Sequence, residues 1–209
     1  MPEWDQIFSE QGRVFTDPHP DIDRVVNLLD KGARILDLGC GTGRHVVYLA
    51  RLGFDVSGFD VSPRALSMAE EWLHEEQLSA ALCEHSMELP FPYADDFFDA
   101  VISTQVIHHN LVKDIMKTIN EIERVLKPSG ILFVTFPVLK SGPIEEERDW
   151  KLTKIEEGTY IPQKGLEAGL PHHYFTPEEI LEVFRAFDIS EIYLDKTDHR
   201  CVLARLRIN

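Results

Sequence analysis

Three glycines at alternate positions, Gly39, Gly41 and Gly43, close an apolar run that carries one carboxylate, Asp37. A turn stripped of side chains at three positions can adopt left-handed backbone and bring its N–H groups against a flat ligand. Seventeen residues beyond Gly43, Asp60 ends the next strand-like run. A carboxylate only accepts hydrogen bonds, so at the carboxyl end of a neighbouring strand it is placed to take both hydroxyls of a ribose. Two histidine pairs, at 108/109 and at 172/173 ahead of Tyr174, are the remaining groups suited to moving a proton near neutral pH. Adjacent histidines seldom both ligate one ion and no carboxylate stands at a supporting spacing, so no metal site is expected. The dinucleotide fingerprint Gly-x-Gly-x-x-Gly needs its third glycine at position 44, which is Arg44 here, and this speaks against a nicotinamide cofactor.

The stretch over residues 35–45, Ile-Leu-Asp-Leu-Gly-Cys-Gly-Thr-Gly-Arg-His, resembles the first motif of the class I S-adenosylmethionine-dependent methyltransferases. Later stretches extend the resemblance to residues 33–137. They are His85-Ser-Met-Glu-Leu-Pro-Phe91, the run from Phe98 to His109, and a helix followed by Leu126-Lys-Pro-Ser-Gly130 and a strand. The resemblance implies S-adenosylmethionine as cofactor, its methionine part held by Asp37 and the backbone of Gly39, Cys40, Gly41 and Gly43. Asp60 and Val61 would then meet the ribose. His85 stands where many members carry the acid that receives the adenine amino group; a neutral imidazole can accept one such bond. Ser86 would contribute backbone and Met87 packing at the adenine. Gln105 and the backbone near Ser103 would face the sulfonium. His108, His173 and Tyr174 are the candidates for contact with the acceptor, as base or as binding groups. Sulfonium is already an activated leaving group, so the protein's tasks are alignment, desolvation and, for a protonated acceptor, proton removal.

The elements that must position these residues are legible from periodicity. Residues 35–38, 55–60, 80–84, 98–103 and 131–136 read as strands, separated by helical patterns over 46–51, 63–76 and 111–127. Ser62 ahead of Pro63 is a helix start, and Thr176-Pro-Glu-Glu179 is a capping box opening a helix to about residue 187. Two final strands, near 189–194 and 201–208, are joined by a short link and so run antiparallel. The fold expected is α/β, one domain over 1–209. It is a Rossmann-like doubly wound seven-stranded sheet, mostly parallel, with one antiparallel strand near the edge. Residues 139–175 break the alternation. Their length and glycine spacing mark a substrate-facing insertion at the acceptor's side of the site.

Charge narrows the partners. Twenty-one Lys and Arg against 36 Asp and Glu give a net charge of −15, which repels phosphate backbones and anionic membrane surfaces. A small-molecule methyl acceptor is therefore expected, nucleic acid is disfavoured, and no apolar run reaches membrane-spanning length. The three cysteines show neither a disulfide framework nor ligand spacing, and the opening residues lack the blocks of a signal peptide, which reads as cytoplasmic. A transfer-RNA-modifying methyltransferase and a non-catalytic S-adenosylmethionine-binding protein are the alternative readings.

Overall fold

The computed structural model describes residues 3–13, 15–139 and 151–208. Helices α1 (Glu3–Gln11) and α2 (Ile22–Val26) precede the first βαβ unit, which is β1 (Arg34–Leu38), α3 (Arg44–Arg51) and β2 (Asp55–Asp60). Next come α4 (Pro63–Glu75), β3 (Ala81–Glu84), β4 (Phe98–Thr104), α5 (Val112–Val125) and β5 (Leu126–Phe136). The chain continues through β6 (Leu152–Glu156), β7 (Thr159–Pro162), β8 (His172–His173), α6 (Pro177–Val183), β9 (Phe187–Leu194) and β10 (Arg200–Leu206).

Seven strands form one sheet in the order β3-β2-β1-β4-β5-β10-β9. The first five are parallel, and β10 runs antiparallel to both of its neighbours, one place in from the edge. Side chains alternate between two faces, as period-2 geometry requires. Leu36, Leu38 and Val101 point into a core with Ile115, Ile119 and Ile122 of α5 and Ile180 of α6. Ile35, Ala100 and Ile102 point to the other side, against Val46, Val47 and Leu49 of α3, Trp72 of α4 and Val25 of α2. Burial on both faces is why the central strands read as continuous apolar runs. It also leaves the carboxyl ends of β1, β2 and β4 facing one crevice beside the order reversal, where open α/β sheets bind ligands.

Several boundaries differ from the periodic reading. Helix α2 is only five residues long, and the Asp21 side chain makes no cap hydrogen bond to it. Helix α5 passes directly into β5 at Leu126, with Ser129 in left-handed backbone at φ 65°. Helix α6 stops at Val183 because buried Phe184 and Phe187 pack edge to face at 5.9 Å and commit Phe187 to pairing with Leu206. The described part of the expected insertion is not plain loop: β6, β7 and β8 form a separate antiparallel three-stranded sheet. Residues 140–150 of that insertion lie outside the described residues.

Candidate cofactor and acceptor site

All three turn glycines have positive φ, 71° at Gly39, 52° at Gly41 and 89° at Gly43, a region L side chains rarely enter. Packing adds to the demand. A Cβ at Gly39 would lie 2.4 Å from Val106 Cγ1, and one at Gly43 would lie 2.7 Å from Ala69 Cβ. At Gly41 a Cβ would meet only the Phe8 ring, at 3.5 Å, so this glycine forms the open floor of a cradle that α1 overhangs. Cys40 turns its side chain down against Gly58, and its N–H, like that of Gly39, donates to the Phe59 carbonyl at 3.0 Å. It therefore joins the site through backbone, and burial pushes its thiol well above the ordinary range.

Asp60 Oδ2 accepts from the Gly41 N–H and Oδ1 from the Ser62 N–H, each at 2.9 Å. The carboxylate thus fastens the glycine turn to the end of β2, and its remaining lone pairs are those open to a ligand. Burial raises the Asp60 pKa, opposed by the N–H donors of Ser62, Gly41 and Val61. Val61 is half-buried beside it. Asp37 lies deeper. Its carboxyl is 1% exposed, Oδ2 has no hydrogen-bond partner, and burial pushes its pKa up to about 7, against the favourable charge of Arg44. His45 Nδ1 stands 3.8 Å from that oxygen, and burial holds the His45 imidazole neutral. An orphaned buried carboxylate oxygen under a side-chain-free turn is what the cationic and polar end of an amino-acid-bearing nucleoside would satisfy. The residues present therefore fit S-adenosylmethionine.

At the end of β3, His85 Nε2 lies 3.1 Å from the Pro90 carbonyl, which assigns the proton to that nitrogen and leaves Nδ1 an acceptor. Its ring meets Phe59 edge to face at 5.3 Å. Ser86 and Met87 are half-buried, and the Met87 carbonyl accepts from the Thr118 hydroxyl at 2.9 Å. At the end of β4 the Gln105 side chain, expected to face the sulfonium, and the Ser103 hydroxyl are both bonded to the scaffold. Ser103 Oγ donates to the Leu38 carbonyl at 3.1 Å, tying β4 to β1. Gln105 turns its side-chain amide onto Thr135 Oγ1 at 2.9 Å, with its backbone at φ 60°. A non-glycine residue in left-handed backbone beside a crevice is stored strain of the kind found at functional sites.

One helix spans the cradle and the histidines. Phe8 of α1 overhangs Gly41, and Trp4, one turn earlier, meets the His109 ring edge to face at 4.8 Å. Asp5 pins this helix by accepting from Ser62 Oγ at 2.8 Å and from the Arg64 N–H at 2.9 Å. Arg13 grips α4 through Glu75 and the Met68 carbonyl. His108 is buried and its carbonyl accepts from the His173 N–H at 2.8 Å. Burial, with His109 and His172 alongside, pushes the His108 imidazole well below its ordinary value. That makes it a weak base at neutral pH.

His173 is fully buried rather than facing the mouth. Its Nδ1 lies 2.7 Å from Thr159 Oγ1 and its Nε2 lies 2.9 Å from Glu179 Oε1, so both nitrogens are occupied by the scaffold. The same contact revises the capping box. The Thr176 hydroxyl accepts from the Glu179 N–H at 3.1 Å as expected, but the Glu179 carboxylate bonds His173. The Tyr174 ring lies 6.3 Å from that of His172 and 5.8 Å from that of Tyr160. Sequence reasoning did not single out Asp5, Phe8, Glu167 or Thr159. Each acts across more than the local period, so no pattern in the chain marks it.

Comparison with known proteins agrees with this geometry. A family model described as a methyltransferase domain matches residues 36–134. An uncharacterized methyltransferase of Synechocystis sp. is 30% identical over 158 residues, covering 70% of this chain and 72% of that protein. A ubiquinone biosynthesis O-methyltransferase of Cereibacter sphaeroides is 28% identical over 78% of this chain, which spans only 62% of that enzyme's length. A crystal structure of a SAM-dependent methyltransferase from Methanosarcina mazei superposes with a TM-score of 0.75 at 21% identity, covering 92% of this chain and all of that one.

Proposed function

Because the chain belongs to the class I S-adenosylmethionine-dependent methyltransferases, we propose that it transfers a methyl group to a small-molecule acceptor by in-line displacement. The observation that carries the reading is the cradle: a glycine turn fastened to Asp60, with the unpartnered Asp37 oxygen beneath it, overhung by the same helix that reaches the histidines. Bound there, S-adenosylmethionine supplies a methyl group on a sulfonium that leaves as a neutral thioether. Asp37 faces the cofactor's cationic end, the backbone of 39–43 follows its length, Asp60 receives its ribose hydroxyls, and the lone pair on His85 Nδ1 receives its adenine amino group. Ser86 and Met87 line the adenine side. Ser103 and Gln105 act by holding the end of β4 in its strained course, which sets the wall opposite the sulfonium.

The acceptor's side is formed by Trp4, His108, His109, His172 and Tyr174, a cluster of rings that excludes water. A cluster of rings suits a compact organic acceptor, and the net charge of −15 disfavours a polynucleotide. His173 is a positioning residue in this reading, holding Tyr174 and β8 against the loop after β4. Among the described residues no helix is long and apolar enough to cross a membrane.

The test is release of S-adenosylhomocysteine across a panel of phenols, carboxylates, amines, thiols and transfer RNA. Turnover with one of the small acceptors supports the reading. Turnover with transfer RNA alone, or tight cofactor binding with none, favours the alternatives.

A further inference from the structure

Three of the chain's imidazoles converge where the insertion meets the loop after β4. The ring centroids of His108 and His109 are 3.9 Å apart, those of His109 and His172 are 4.5 Å apart, and His108 and His172 are separated by 5.6 Å. One ring nitrogen from each forms a group whose members all lie within 4.8 Å of one another. Nδ1 of His108 and Nδ1 of His109 are both buried and have no hydrogen-bond partner. Two orphaned imidazole nitrogens on adjoining rings need an explanation that packing does not provide, since each forgoes a hydrogen bond it could make in water.

We propose that His108, His109 and His172 bind one divalent first-row transition ion of the zinc, cobalt or nickel class, with the Glu167 carboxylate as its oxygen ligand. Imidazole nitrogens with one carboxylate and no thiolate are the donor set these ions prefer over magnesium or calcium. His172 is already arranged as a ligand with its outer contact made. Its Nδ1 lies 3.0 Å from the Leu170 carbonyl, the contact that fixes which nitrogen keeps its proton when the other takes a metal. Its Nε2 lies 2.8 Å from Glu167 Oε2. An ion entering between them replaces the Nε2 proton, which leaves to solvent, and keeps both groups as ligands. Tetrahedral zinc with bonds of about 2.0 to 2.1 Å sets its ligand atoms about 3.4 Å apart. The three imidazole nitrogens therefore need to draw together by about an ångström, and the Glu167 carboxylate, which lies outside that group, has to swing in from its contact with His172 Nε2. A second set, His19, Asp21 and Cys201, is not equivalent. Both nitrogens of His19 are taken there, Nδ1 by the Asp21 N–H at 3.1 Å and Nε2 by Asp195 at 3.0 Å.

The spacing that argued against a metal in the sequence is overcome by the turn at 106–109, where the His109 N–H donates to the Val106 carbonyl at 3.0 Å and brings two adjacent rings to one side. The inference stands apart from the choice of acceptor, and its readout needs neither cofactor nor turnover. Cobalt(II) is titrated into the chelator-treated full chain, followed by visible absorption and calorimetry, with S-adenosylhomocysteine binding measured separately. One ion per chain with the intense visible bands of tetrahedral cobalt is expected, displaced by zinc. His109→Gln and His172→Gln should each weaken it by at least tenfold and Glu167→Gln by a smaller factor, with circular dichroism and S-adenosylhomocysteine affinity retained. The His19→Gln variant should bind cobalt as the unmodified chain does. Absence of a one-to-one complex at millimolar cobalt overturns the proposal, as does binding that survives His109→Gln and His172→Gln together or is lost in His19→Gln. Loss of S-adenosylhomocysteine binding with cobalt binding intact would instead count against the cradle.

Discussion

Replacing Asp37 by Asn should remove a pH dependence of stability that the unmodified chain carries. The carboxyl is fully buried with one oxygen unpartnered, and burial moves its pKa from 3.8 to about 7. At about 1.4 kcal/mol per tenfold, that difference corresponds to roughly 4 kcal/mol of preference for the protonated form in the folded state. Relaxation around a buried charge reduces such a figure, so about 2 to 4 kcal/mol is expected. The sign follows from proton binding. The folded chain holds this proton more tightly than the unfolded one, so the contribution is full below pH 4 and is lost as pH rises through 7. Asn keeps the neutral shape throughout. Urea unfolding of both proteins at half-unit steps from pH 4.5 to 8 should show the unmodified chain losing stability relative to Asp37→Asn by that amount. Binding of S-adenosylhomocysteine is the converse readout. If its ammonium sits against Asp37, affinity should rise about tenfold from pH 6 to 8, as the ionised fraction does, and stay flat in the Asn variant. A constant stability difference, within about 0.5 kcal/mol across the range, would show that the carboxyl is not raised and would refute the burial argument.

Other substitutions test other parts of the site. Gly39→Ala places a methyl 2.4 Å from Val106 and forces an L residue to φ 71°, so denaturation should show a loss of about 2 to 4 kcal/mol, partly restored by adding Val106→Ala. Asp60→Ala deprives the Gly41 and Ser62 N–H groups of their acceptor as well as the ribose hydroxyls; calorimetry should show cofactor affinity weakened by about 1.5 to 3 kcal/mol, with a fall in melting temperature beside it. His173→Ala leaves Thr159 and Glu179 facing a cavity and should cost about 2 to 4 kcal/mol of stability with S-adenosylhomocysteine affinity unchanged, whereas Tyr174→Phe should keep the melting temperature and slow methyl transfer to the acceptor.

Local chemistry explains what the chain declares about itself. Residues 35–60 announce strand, turn, helix and strand because each step is a short-range rule: period-2 burial, glycine where φ must be positive, and an acid at the end of the second strand. The start of α4 is equally local, since the Ser62 hydroxyl accepts from the Ala65 N–H at 3.1 Å within one turn. The antiparallel pairing of β9 and β10 is set by a five-residue link that leaves no room for a crossover. What only the tertiary structure decided are contacts between segments far apart in the chain. Asp5 closes α1 onto α4 across 57 residues, which no periodicity can register. Glu179 reads as the second half of a capping box, yet a buried imidazole six residues earlier competes for its carboxylate and wins, because a buried histidine nitrogen left unpaired costs more than an exposed cap forgone. The histidine pairs show the same division. Their residue types are plain in the chain, but whether a ring has both nitrogens taken by the scaffold, as His173 does, or keeps one buried and unpartnered, as His108 and His109 do, depends on the packing of the loop after β4 against the insertion. That packing is set by burial summed over both segments, and neither segment encodes it alone.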